Sequence, residues 1–408
     1  MMRALFSGVS GLKNHQLRMD VIGNNIANVN TIGYKTSRVN FQELFSQTLR
    51  GAAAPREDRG GTNPQQIGLG IKIGSIDTLH TQGNLQMTQK TTDLAVQGAG
   101  FFVLSDGTRL VYTRAGNFDI DAAGYLVNAS NGLRVQGWMA TAGTFPVKDR
   151  NNLTDVRIPV GQAIPARATD RVAYGGNLDA RAAEGDIFVT SVDVYDSLGR
   201  AHSMTVTFEK TANPNEWKWT VSGLPNLVPG TDWGTITFTT SGTFQAQTGG
   251  PVQFQADGAD ASSITLDFGS LTQYAASYTV AESERNGYRM GSLETFTIDS
   301  TGKVVGVYSN GLTQEIAQVA LATFNNPGGL MRMGENLLAE SNNSGLPQLG
   351  EAGTGGRGMI APGALEMSNV DLAQEFTAMI VTQRGFQANS RVITTTDEML
   401  QELVNLKR

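Results

Sequence analysis

Apolar residues recur every seventh position at the two ends of the chain and every second position in its middle. Near the N-terminus Leu5, Leu12, Met19 and Ile26 keep the seven-residue step, and Ile22 and Val29 stand three residues after the last two. That is an a/d seam on an amphipathic helix. Its earlier d positions are Gly8 and His15, which leave the first half thin. Gly33 follows the last periodic residue and suits a C-cap. At the other end Leu372, Met379, Phe386, Ile393 and Leu400 repeat without a break. Ser368 suits the N-cap, with Asp371 three residues on. The pattern predicts a helix of about 37 residues, roughly 55 Å long. Lys407 and Arg408 at its end complement the macrodipole. One apolar stripe on so long a helix needs a partner, in a two-helix hairpin within the chain, a coiled coil or a packed array.

Residues 31–90 show neither period and read as an irregular linker or arm. "GAAAPREDRGGTNPQQIGLG" (residues 51–70) is rich in Gly, Pro and polar residues. From about Asp93 the period becomes two. "FFVLSDGTRLVY" places two apolar runs around Asp106-Gly107, a hairpin signature, and Asn131-Gly132 and Asn310-Gly311 are further such turns. Met204, Val206 and Phe208 alternate with Ser203, Thr205 and Thr207, and Trp217, Trp219 and Val221 with Lys218 and Thr220. Each run predicts a strand buried on one face, and their succession predicts a sandwich or barrel.

The order helix, arm, β, β, helix gives an α+β fold class that is mainly β. The β domains are nested, and the long terminal helices form an α-helical coiled-coil domain. The expected divisions are residues 1–30 plus 368–408 for the helices and 31–90 for the arm. An inner β domain takes 91–148 plus 286–367, and an outer inserted β domain takes 149–285. A chain of 408 residues has room for two or three such bodies.

Composition narrows the function classes. Charged residues are 17% of the chain, against about 25% in ordinary proteins. The net charge of −6, with no basic stripe, gives nucleic-acid binding little support. Cysteine is absent, so disulfides, thiolate nucleophiles and cysteine metal sites are excluded. The first residues build no apolar core of the ~7–15 residues that a signal peptide needs. No window approaches the ~20 apolar residues of a membrane span, so no membrane insertion is expected.

Candidate chemistry is sparse. His15, His80 and His202 lie in three different regions without ligand spacing, so no metal site is expected. His15 falls on the helix seam and reads as an interface residue. "DIDAAG" (residues 119–124) opens like a calcium loop, but Ala123 and Ser130 stand where ligands belong, so it reads as a turn. Phosphate-loop spacing and a nucleophile elbow are both missing, and no catalytic residue or cofactor is expected. "SGVSG" (residues 7–11) puts small residues on the first helix, where they permit close approach of a second backbone.

"VIGNNIANVNTIGYKTSRVNF" (residues 21–41) loads the helix end with Asn24, Asn25, Asn28 and Asn30, although asparagine is a poor helix former. This stretch, with the residues before it, resembles the N-terminal signature of bacterial flagellar rod and hook proteins. "DLAVQGAGFFVL" (residues 93–104), "YTRAGNFDIDAAGYLVNASNGLRVQGW" (112–138), "GENLLAESNNSG" (334–345) and "SNVDLAQEFTAMIVTQRGFQANSRVITTTDEML" (368–400) are similar to later blocks of that family. "VTSVDVYDSLGRAHSMTVTFEK" (189–210) looks like hook members. The length and central insertion also point to the hook, since distal rod members are expected to be much shorter.

The resemblance implies a non-enzymatic structural subunit. Copies would assemble into a curved hollow helical tube, a universal joint that transmits torque from rod to filament. It implies partners: self as a helical homopolymer, the distal rod protein, the hook cap protein, the hook–filament junction protein and the flagellar type III export apparatus. It implies a place in the hook of the flagellum, outside the cell, reached without a cleaved signal peptide. Leu5, Leu12, Met19, Ile22, Ile26, Val29, Leu372, Met379, Phe386, Ile393 and Leu400 would then pack between subunits. Asn24, Asn25 and Asn28 would fix register there, since an amide both donates and accepts. Two alternatives stay open: a distal rod subunit with an extra domain, and an extracellular β-rich protein that binds or cleaves glycans.

Overall fold

The computed structural model describes residues 2–55, 60–141 and 143–406. Lys407, Arg408 and residues 56–59 of the expected arm lie outside that range. The chain divides into two compact units. The first comprises Met1–Ile158, Thr297–Val305 and Glu315–Arg408; the second comprises Pro159–Phe296 and Gly306–Gln314. The fold is mainly β with one long helix at each end.

In the first unit helix α1 spans Met2–Ala27 and helix α2 spans Leu372–Asn405. α1 stops two residues short of Val29. The Asn28 amide bonds back to the carbonyls of Asn24 and Asn25, and the chain leaves through successive turns. Gly33 therefore lies too far on to be a C-cap. It holds φ +68, its N–H donates to the Glu366 carbonyl at 2.8 Å, and a Cβ there would meet Ala115 N at 2.5 Å. Close approach of two backbones, not helix termination, demands this glycine. The N-cap of α2 is Asp371 rather than Ser368. Its carboxylate accepts from the amides of Ala373 (2.8 Å) and Gln374 (3.2 Å), so the helix has 34 residues.

The stretch 31–90 is not irregular. Ser37–Glu43 pairs antiparallel with Ile71–Thr78, and Ser46–Arg50 pairs with Gln65–Gly68. The period-two signal is missing because these ribbons bury no face completely; Ser46–Arg50 and Gln65–Gly68 are exposed throughout. Ladder hydrogen bonds between distant segments define them instead.

The β core of this unit forms around the hairpin Phe101–Ser105 and Leu110–Thr113. Asp106 closes its turn by accepting from the amides of Thr108 and Arg109 at 2.8 and 2.9 Å. Phe101, Val103, Tyr112, Trp138, Ala320 and Phe324 pack as its apolar centre. Asp121, in the segment that opens like a calcium loop, accepts from the Ala123 and Tyr125 amides and makes a turn. Two short ladders, Met359–Pro362 with Leu94–Gln97 and Ala364–Glu366 with Leu85–Met87, lead the chain into α2.

The second unit is a β-sandwich. Its five-stranded antiparallel sheet runs Ile187–Tyr195, Ala201–Lys210, Glu216–Ser222, Trp233–Phe238, Phe244–Gln247. The facing four-stranded sheet is mixed: Arg171–Asp179 pairs parallel with Ser262–Tyr274 and antiparallel with Ala281–Arg285. Val206, Phe208, Trp217, Trp219 and Phe268 meet in one buried cluster, fed by the alternation along each strand.

Candidate assembly site

Helices α1 and α2 pack antiparallel, and they do so on their small and polar residues. A Cβ on Gly8 would sit 3.1 Å from Ile393, one on Gly11 2.6 Å from the Asn389 amide, and one on Gly385 2.8 Å from the His15 ring. Asn25 bonds Glu375 at 3.0 Å near the other end of the pair. On α2 the buried positions are Thr382 and Thr396. With Glu375 and Asn389 they form a seven-residue repeat of polar side chains. The apolar repeat runs beside it. Leu372 and Phe386 are exposed, while Met379, Ile393 and Leu400 are half-buried. On α1 only Ile22 of the expected seam is buried; Leu5, Leu12, Met19, Ile26 and Val29 are half-buried. Phe6 is 67% exposed, Phe376 50% and Ile380 59%. Apolar surface is thus left uncovered along both helices.

The asparagines divide into two roles. Asn25 is buried, and all four hydrogen-bonding positions of its amide are filled within the chain. Its Nδ2 donates to the Ser37 carbonyl (2.8 Å) and Glu375 (3.0 Å); its Oδ1 accepts from Tyr34 Oη (3.1 Å) and the Ser37 amide (3.0 Å). The register it fixes is therefore internal, where helix, turn and first strand meet, and nothing is left over for a neighbour. Asn28 donates to the Asn24 carbonyl and side chain at 2.9 and 2.7 Å, on the exposed side of the helix end. Asn14 Nδ2 donates to the Ile71 carbonyl at 2.7 Å, and His15 meets the Phe41 ring edge-on at 5.6 Å. These contacts fasten the helix pair to the Ser37–Thr78 ladder.

Beneath that junction lies a buried ion cluster that sequence reasoning missed. Glu366 is fully buried and takes Lys35 Nζ at 2.6 Å on one oxygen and Arg114 Nη1 at 3.2 Å on the other. Lys35 also donates to the Thr81 carbonyl, and Arg114 to the carbonyls of Val96 and Gly98. Burial pulls the pKa values of Lys35 and Arg114 down, and the Glu366 carboxylate opposes that pull. Nearby, burial first and then the charges of Lys35, Arg114 and Arg332 push His80 down to about 4.

His80 gives a pH prediction. The folded chain holds this proton less tightly than the unfolded chain, whose histidine keeps an ordinary 6.5. The stabilisation is complete above pH ~6.5 and disappears as pH falls through about 4, a change of about 3 kcal/mol. The loss of unfolding free energy between pH 7 and pH 4 should be larger by about that amount in the native chain than in His80→Gln. Equal losses would show that His80 is not held neutral.

Four family models cover most of the chain. They are "Flagella basal body rod protein" over residues 5–35, "Flagellar hook protein FlgE/F/G D1 domain" over 95–170, "Flagellar basal body protein FlaE D2 domain" over 165–288, and "Flagellar basal body rod FlgEFG protein C-terminal" over 361–406. The flagellar hook protein FlgE of Borreliella burgdorferi is 46% identical over 444 aligned residues, covering 100% of both chains. The chain belongs to the flagellar hook protein family. It is a structural subunit of the bacterial flagellar hook. FlgE of Treponema pallidum is 44% identical, again over 100% of both chains. A crystal structure of Helicobacter pylori FlgE2 shares the fold, with a TM-score of 0.55 over 69% of this chain and 100% of that one, at 16% identity. The Bacillus subtilis basal-body rod protein FlgG is 34% identical over 100% of both chains. The hook subunits of Borreliella burgdorferi and Treponema pallidum stand above it, at 46% and 44%.

With the family in hand, the ion cluster acquires a context. Lys35 comes from the block that ends the N-terminal signature, Arg114 from "YTRAGNF", and Glu366 stands just before "SNVDL". Three family blocks far apart in sequence are joined by one carboxylate.

Proposed function

We propose that copies of this hook subunit polymerise into a curved hollow helical tube that acts as a universal joint between rod and filament. The observation that carries this is the helix pair closed on Gly8, Gly11, Gly385 and polar residues, with apolar flanks left over. Coiled-coil packing of α1 and α2 with copies of themselves would cover those flanks, in the helical domain of residues 1–30 plus 368–408. Leu5, Leu12, Met19, Ile26, Val29, Leu372, Met379, Phe386 and Leu400 supply the contact, with Asn24 and Asn28 at its edge, while Ile22 and Ile393 already pack within the chain. Contacts that repeat without closing give a filament rather than a ring. Residues 91–148 plus 286–367 form the inner β domain of this reading, and 149–285 the outer one. The distal rod protein, hook cap protein, hook–filament junction protein and type III export apparatus are its partners. Its work is mechanical, with no catalysis.

Deleting the outer domain tests this reading. Ile164 pairs with Gly291 in the ladder, so residues 165–290 can be replaced by a two-residue turn across one strand spacing of about 4.8 Å. The shortened chain should still form tubes in electron micrographs, now straight, while the full chain forms curved ones. Failure of the full chain to form tubes at high concentration would overturn the polymer reading. Loss of tubes only in the shortened chain would overturn the nested domains.

A further inference from the structure

We propose that a cavity between the end of α1 and the Met331–Ala339 hairpin is a socket for an acidic side chain of a second copy of this chain. The proposal rests on the polymer reading above. The cavity measures about 320 Å³ and is walled by Tyr34, Lys35, His80, Phe101, Arg114 and Arg332, with Leu337 and Leu338 on the hairpin side.

Its charge is out of balance. Three cations reach it against two carboxylates, Glu335 in its wall and the buried Glu366, which is already shared by Lys35 and Arg114. Arg332 donates to the Lys35 carbonyl at 2.5 Å and lies over the Tyr34 ring at 5.4 Å. Among the described residues it has no carboxylate partner. Two nitrogens of the lining are also left without a hydrogen-bond partner although buried, Arg114 Nε and His80 Nδ1. Arg114 is itself only 5% exposed. A buried donor without an acceptor is costly, and an arriving carboxylate removes that cost while balancing the excess charge.

The rim is a two-residue hairpin turn, closed where Gly334 pairs with Leu337. Glu335 and Asn336 adopt φ +51 and +59, the positive φ that such a turn takes at both central positions. Asn336 Nδ2 donates to the Ile32 carbonyl at 2.9 Å, so the hairpin is pinned to the turn after α1.

A second copy offers the complement. The last turns of α2 expose Glu398 and Glu402 beside Met399 and Leu403. That mixture of acid and apolar surface matches a socket of cations walled by Phe101, Leu337 and Leu338.

Arg332→Glu and Arg332→Gln in the full chain test this, together with the exchange pair Arg332→Glu with Glu398→Lys and Glu402→Lys. Monomer melting is read beside assembly in each variant, because Arg332, although exposed, bonds the Lys35 carbonyl and covers the Tyr34 ring; only loss of assembly in a monomer that still melts as a folded chain counts. The critical concentration for tube formation should rise at least ~10-fold in Arg332→Glu, equivalent to ~1.4 kcal/mol per subunit added. Arg332→Gln keeps a donor toward Lys35 and should show a smaller rise; the exchange variant should recover most of the loss. Assembly of Arg332→Glu at the native concentration would overturn the socket and leave the polymer reading intact. Loss without recovery in the exchange variant would overturn α2 as its occupant. If the native chain forms no tubes, the polymer reading itself has failed.

Discussion

Glu366→Ala is expected to destabilise the first unit by about 3–5 kcal/mol, the range for removing one partner of a buried ion pair. Lys35 and Arg114 would remain, both almost wholly buried, with no carboxylate between them. The Gly83 amide, which donates to the same carboxylate at 2.9 Å, would also lose its acceptor. Neither cation has an easy way out. Lys35 is tied to the Thr81 carbonyl, and Arg114 to two carbonyls of the Leu94–Gly98 segment. The comparison that isolates the charge is the triple variant Lys35→Met, Arg114→Met, Glu366→Leu. It removes all three charges together and should recover much of the loss, since a buried ion network is often no more stable than apolar packing. Calorimetry on the full chain reads both effects, and the transition of the second unit should not move. A loss below about 1 kcal/mol in Glu366→Ala would mean that water reaches the cluster and screens it.

That cluster also shows where sequence reading runs out. Lys35, Arg114 and Glu366 are single charges in ordinary surroundings, separated by up to 331 residues. No local pattern links them; the ladders at Leu85–Met87 and Leu94–Gln97 and the Gly33 bond to the Glu366 carbonyl bring them together. The strands of the second unit were legible for the opposite reason. Each buries one face, so Met204, Val206 and Phe208 announce themselves by alternation. The Ser37–Glu43 and Ile71–Thr78 pair does not, because it is joined by backbone bonds across a long excursion. Both terminal helices were legible as helices, but the face each presents to the other was not. Periodicity marks the apolar stripe as the contact, whereas Gly8, Gly11 and Gly385 let the two backbones close on another face. The small residues of "SGVSG" were the signal for that face. Asn25 illustrates the same limit, since a side chain able to bind neighbours is saturated by Ser37, Tyr34 and Glu375 of its own chain.

Phe386→Asp should abolish tube formation and leave the monomer as stable as before. Phe386 is 37% exposed in the single chain and stands on the stripe beside the polar repeat through which α2 meets α1. A carboxylate at that position can remain hydrated in the monomer, so little stability is lost there. In a polymer that covers the flank, the same carboxylate would be taken from water without a partner, which costs several kcal/mol at every subunit added. Ile393→Asp supplies the contrast. Ile393 belongs to the same apolar repeat, yet its side chain already rests against Gly8 of α1. A charge there disturbs the helix pair itself, so monomer helicity and tube formation should fall together. Circular dichroism of the dilute monomers, beside sedimentation of the concentrated ones, separates the two cases. If Phe386→Asp lowers monomer helicity as much as Ile393→Asp, then Phe386 belongs to a contact within the chain. If it leaves both helicity and tubes intact, the apolar flank of α2 is not where the copies meet.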